Sequence, residues 1–173
     1  MISNNSRSSA LAIALGAALL STPAQAVEGD FLKRFDGAFS GSGEVSRNEG
    51  EASTGVRCSM KGTSTAAAVS MSGTCRAAII FSRQISADLK VDGSGRYTGT
   101  YVGSSIGPAA LTGKRSGDAI NLTITWPEEV RGDTTAQMTI RNDGNGQVAI
   151  VITDKMSDGG ASAQVSSIAL SGG

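Results

Sequence analysis

The sequence predicts an all-β fold, an antiparallel up-and-down meander of about 8–10 strands closed into a small barrel. Three observations support it. From Asp36 onward apolar residues alternate with polar ones, the period of a strand with one buried face. Clusters of Gly, Asn and Asp interrupt that alternation at short intervals, as hairpin turns require. The chain also holds 23 glycines and only 4% aromatic residues, a composition poorly suited to a helical bundle. Closure pairs the edges that such a meander would otherwise leave sticky. A two-sheet sandwich uses the same alternation and is the runner-up.

Residues 30–35 read as a short helical turn capped by Asp30, with Phe31 and Phe35 one turn apart. A first strand over residues 37–46 puts Phe39, Gly41, Gly43 and Val45 on one face. Its two inward glycines leave room for a bulky neighbour or a ligand. Residues 49–54 are polar and loop-like. Val56, Cys58 and Met60 then alternate with Arg57, Ser59 and Lys61, while Val69, Met71, Gly73 and Cys75 alternate with serines and Thr74. The apolar run 77–81 has no turn signal and reads as a buried strand or a loop over the core.

Ile85, Ala87, Leu89 and Val91 share a face, residues 92–95 turn the chain, and Tyr97, Gly99 and Tyr101 return. Gly107-Pro108 separates the strands around Val102 and Leu111. The clearest strand covers residues 119–126, with Ile120, Leu122, Ile124 and Trp126 on one side and Asn121, Thr123 and Thr125 on the other. Ala136, Met138 and Ile140 face inward on the next strand. Residues 142–146 form a hairpin turn, and Val148, Ile150 and Ile152 face inward on the return.

The domain layout is a signal peptide at residues 1–26 followed by one barrel at 27–173. Residues 11–20 are an unbroken apolar run, too short for a membrane-spanning helix, and Ala24-Gln25-Ala26 ends in the small-x-small pattern of a cleavage site. The expected cut lies near Ala26 and the expected address is periplasmic or secreted, with no transmembrane segment after the signal is removed. Loss of Arg7 would leave 14 basic and 15 acidic residues, well dispersed. That surface offers no electrostatic reason to bind nucleic acid or an anionic membrane. Seven aromatic residues are too few for the two girdles of an outer-membrane barrel. Cys58 and Cys75 fall on the inward phase of neighbouring strands, which in an exported chain predicts a disulfide.

No histidine occurs, and this removes most acid–base and metal chemistry. Gly103-Ser104-Ser105-Ile106-Gly107 matches the nucleophile pattern G-x-S-x-G, but it joins two strands and no Ser-His-Asp triad can be completed. Gly144-Asn145-Gly146 opens a strand rather than a helix, so it is a hairpin and not a dinucleotide fingerprint. Asp143, Asn145 and Gln147, with Asp154 at the twelfth position, imitate a calcium loop but place Val148 where that loop needs Gly. Glu128, Glu129 and Asp133 crowd one loop and read as solvated charges, and Arg131-Gly132-Asp133 reads as a turn. No metal and no cofactor is expected.

The pattern Phe35-x-Gly37-x-Phe39-x-Gly41-x-Gly43, the Cys58/Cys75 pair and the stretches 132–135 and 141–144 resemble small uncharacterised exported proteins of alphaproteobacteria. That resemblance implies export and no particular activity. An export signal, a short helical turn, a Gly/aromatic first strand and a meander are also similar, in architecture, to lipocalin- and avidin-type barrels. One early disulfide is similar to that of the periplasmic metalloprotease inhibitors built on such a barrel. Phe39 stands where those families usually carry Trp, and a likeness of fold does not fix function.

The function that follows is a non-enzymatic periplasmic protein binding a small apolar or amphipathic molecule. Gly41, Gly43, Met60, Met71, Tyr97, Tyr101, Trp126 and Met138 are the expected lining. The alternative is a filled core with a protein-interaction role, as a protease inhibitor or an envelope-integrity component. An envelope protein would then contact residues 27–35, 47–51 and 128–133.

Overall fold

Strands with one wet and one dry face must turn the dry faces together, either by stacking two sheets or by curling one sheet on itself. The computed structural model shows the second solution and describes residues 24–46, 52–77, 81–156 and 161–172. Helix α1 (Ala24–Lys33) precedes ten strands: β1 (Gly37–Val45), β2 (Thr54–Ser64), β3 (Ala68–Ala77), β4 (Phe81–Val91) and β5 (Arg96–Val102), then β6 (Ala109–Ser116), β7 (Ala119–Val130), β8 (Asp133–Asn142), β9 (Gln147–Lys155) and β10 (Ser162–Gly172). Each strand pairs antiparallel with its neighbour in sequence, and β1 pairs with β10 to complete the ring. The register of that last pair runs from Phe39↔Gly172 to Val45↔Ser166. Barrel rather than sandwich is therefore the architecture.

The inward phases agree with the alternation in the sequence. Cys58 and Met60 on β2, Val69, Met71 and Cys75 on β3, Ile120, Leu122 and Ile124 on β7, and Ala136, Met138 and Ile140 on β8 are all buried. Outward positions are largely Ser, Thr and charged residues, as in Arg57, Ser59 and Lys61 of β2. Among the described residues such an exterior shows no apolar band of the kind a lipid-facing barrel carries. Cys58 and Cys75 face each other directly across β2 and β3 and are joined by a disulfide.

Antiparallel order sends alternate connections to opposite ends. The turns β2–β3, β4–β5, β6–β7 and β8–β9 share one end, here the floor, with α1. The opposite ends of the strands surround the mouth. The floor is closed by α1, whose Phe31 and Leu32 are buried together with Phe35 just beyond it. Phe31 and Phe35 meet edge to face at 5.5 Å. The last turn tightens through i→i+3 bonds (Phe35 N to Leu32 O, 3.0 Å), and Gly37 takes φ +121° to redirect the chain into β1.

Polar contacts lock this plug to the turns beneath it. Arg34 Nη1 donates to Asp118 Oδ1 (2.7 Å) and to the carbonyl of Asn142 (3.2 Å). In return, the buried Asn142 amide donates to the carbonyl of Arg34 at 2.7 Å. Glu28 accepts two bonds from Arg115 Nε, each 3.0 Å, and one from the Tyr97 hydroxyl. Burial and the adjacent Glu28 carboxylate push the Tyr97 phenol far above its ordinary pKa.

Several sequence-based expectations are revised. The helix is longer than the turn expected over residues 30–35, and Asp30 lies inside it, paired on the surface with Lys33 at 3.6 Å rather than capping it. Glu128 and Glu129 lie on β7, not in a loop. The apolar run 77–81 straddles the end of β3 and the start of β4, with 78–80 outside the described residues. Residues 1–23, most of the expected signal peptide, and 47–51, the whole of one expected contact loop, also lie outside them.

Candidate functional site

A barrel's diameter grows with its strand number, and eight strands already leave an interior that side chains just fill or that holds one small ligand. Ten strands with Gly at many inward positions enclose more space than their side chains occupy. A cavity of about 570 Å³ runs inward from the mouth, within the usual size of a small-molecule site. Phe35 lies at its inner end. Its walls are mostly aliphatic, with Val56 and Val69, Ile85 and Leu89, Ile140, Ile150 and Ile152, and Ile168 and Leu170.

Met60, Met71, Tyr101, Trp126 and Met138 line this cavity. Gly41, Gly43 and Tyr97, expected beside them, do not. A Cβ on Gly41 would overlap the carbonyl oxygen of Ala169, and one on Gly43 that of Ser167. The space left by these glycines is taken by the backbone of β10, so they serve curvature rather than a ligand. Gly73, Gly99 and Gly113 carry the same signature against Ser59, Asp88 and Asn121. Tyr97 points to the floor, where it binds Glu28.

The polar groups of the cavity collect toward the mouth. Arg131, in the tight turn between β7 and β8 with φ +56° followed by Gly132 at +79°, turns its side chain inward. Its Nη1 donates to Asp154 Oδ2 (3.1 Å) and its Nη2 to the carbonyl of Ser46 (3.3 Å). The Asp154 side chain is 1% exposed and its other oxygen accepts the Lys155 amide at 2.9 Å. The RGD tripeptide is thus a turn, as expected, with its arginine committed to the interior.

Tyr101 and Trp126 pack edge to face at 6.1 Å. Gly103 admits the phenol, because a Cβ there would overlap Tyr101 Oη. Burial raises the pKa of this hydroxyl, opposed by the positive charge of nearby Arg83. Trp126 Nε1 is buried and has no hydrogen-bond partner among the described residues. An orphaned donor of this kind costs about 1–3 kcal/mol unless something accepts from it.

Arg83 lies on β4, in phase with Ile85 and Leu89, and lines the cavity at its mouth. Pairing of β4 with β5 begins only at Ser86↔Val102. The outer part of β4, from Phe81 to Ile85, therefore pairs with β3 on one side and faces residues 103–106 across a gap on the other. Phe81, 54% exposed, stands at that gap.

Residues 103–107 join β5 to β6 and provide no strand-to-helix elbow for a nucleophile. Asp143 lies in the turn before β9 and Asp154 near the far end of that strand, which breaks up the imitation calcium loop. Among the described residues no cluster of three or more Cys, Asp or Glu is placed to hold a metal ion. Nor, among them, is any helix long and apolar enough to cross a membrane. Arg83 was readable in principle, since it continues the inward period of Ile85, Ala87 and Leu89 by one step. Arg131 was not, because the direction of a turn side chain depends on which strands close around it.

No family model matches the chain, and no curated protein matches it in sequence. Among solved structures it is similar to Rv2717c from M. tuberculosis, with a TM-score of 0.63 and 15% identity over 82% of this chain and 94% of that one. At that identity the likeness shows a shared barrel fold and nothing of activity.

Proposed function

We propose that this protein is a non-enzymatic, exported carrier that holds a small amphipathic molecule inside its barrel. The observation that carries the proposal is the cavity of about 570 Å³, aliphatic along its walls and polar at its mouth. Flexible Met60, Met71 and Met138 suit walls that adapt to a guest. Within residues 27–35, a contact region under a protein-interaction role, Phe31, Leu32 and Phe35 are already spent on the barrel floor. The disulfide and the leader-like residues 1–26 support an oxidising address outside the cytoplasm. Native and denaturing mass spectra of the protein purified from its exported form provide the test. The expected result is a reproducible extra mass lost on denaturation. A bare polypeptide that also takes up no added amphiphile would overturn the proposal.

A further inference from the structure

Resting on the carrier reading, we infer that the guest is a single-chain amphiphile with a monoanionic head, a fatty-acid-type carboxylate, whose head sits among Arg83, Tyr101 and Trp126 and whose tail runs toward Phe35. Two side chains at this place, Arg83 and Trp126, can only donate, and they stand beside the hydroxyls of Tyr101, Ser82, Ser104 and Ser105. Arg83 makes no hydrogen bond or ion pair among the described residues, although it lines the cavity. The indole Nε1 of Trp126 can only donate and lacks an acceptor. The Tyr101 hydroxyl stands with them, held against the indole. The charged side chains of the described lining are Arg83, Arg131 and Asp154. Since Arg131 and Asp154 neutralise each other, one positive charge remains, which a single carboxylate matches and a cationic head does not.

Below this head site the lining becomes aliphatic. Along β4 it extends from Arg83 to Leu89, about 20 Å of strand at roughly 3.3 Å per residue, enough for an extended acyl chain. The gap beside Phe81–Ile85 places Arg83 at the point of entry, so the tail can pass inward while the head stays at the rim.

Trp126 is the only tryptophan of the chain and lies in the proposed head site, so its emission reports occupancy without a label. The full chain, exported and with its disulfide intact, is titrated with laurate, dodecanol and dodecyltrimethylammonium below their aggregation concentrations. Laurate is expected to change the emission saturably at one per chain and to bind about tenfold to a hundredfold tighter than dodecanol. Arg83→Gln should erase that preference, weakening laurate far more than dodecanol, with the melting temperature unchanged. Tyr101→Phe should narrow it in part. Equal binding of laurate and dodecanol, tighter binding of the cation, or a preference that survives Arg83→Gln would overturn the head assignment while leaving the carrier reading in place. Failure of all three to bind a protein whose mass spectrum also shows no copurified guest would overturn both.

Discussion

Gly41 shows how a single position can be read correctly and understood wrongly. Alternation puts it on the inward face of β1, and there it lies. The missing side chain makes way for the carbonyl of Ala169 on β10, not for a guest. Nothing near Gly41 in the sequence announces this, because the strand that fills its space is more than 120 residues away. Gly41→Ala should destabilise the fold by about 3 kcal/mol, the upper end of usual overpacking costs, since a backbone group rather than a flexible side chain must yield. Gly55→Ala, on an outward position with open space around it, should cost little. Urea denaturation of the two variants measures the difference. Met60, Met71, Tyr101, Trp126 and Met138 were readable as cavity residues because inward phase and size alone decide their place. Arg83 escaped notice because charged residues are expected to face water, and only the gap between β4 and β5 brings water to this one.

Among the elements, hairpins were the easiest to anticipate, and their ends the hardest. The turn at Arg131-Gly132 follows from local chemistry, but the bonds that secure it come from β8 and from distant β9. Asp133 accepts from the Thr135 amide and hydroxyl at 2.6 and 2.7 Å, and from Lys155 Nζ at 2.8 Å. The lysine first, then the threonine, hold its pKa down at about 2, against an ordinary 3.8. A depressed carboxylate pKa stabilises the fold above its unfolded value, and that stabilisation disappears as pH falls through the folded one. Between pH 4 and pH 2 the native protein should therefore lose stability more steeply than Asp133→Asn, as followed by chemical denaturation at stepped pH. Above pH 5 the two slopes should run parallel. Helix α1 was visible only in part, as the Phe31/Phe35 spacing. Its added first turns are held through Glu28 by Arg115 and Tyr97, partners that local propensity cannot reveal.

For the molecule as a whole, alternation and turn spacing were enough for an all-β meander, while barrel rather than sandwich required the pairing of β1 with β10. The disulfide adds a second long-lived tie, across β2 and β3. Replacing both cysteines, Cys58→Ala with Cys75→Ala, should cost about 3 kcal/mol and lower the melting temperature by about 10 °C, as calorimetry would show. Ring closure also sets a timetable. Every neighbouring hairpin can form from local sequence, yet the floor, the cavity and the β1–β10 seam exist only once the first and last strands are present together. Much of the fold thus rests on contacts between distant parts of the chain, which slows folding and leaves β1 with a bare edge until β10 arrives. Under the export proposed above, such an order of events is an advantage: no partial stretch of the chain can seal itself into a barrel before the whole of it has passed.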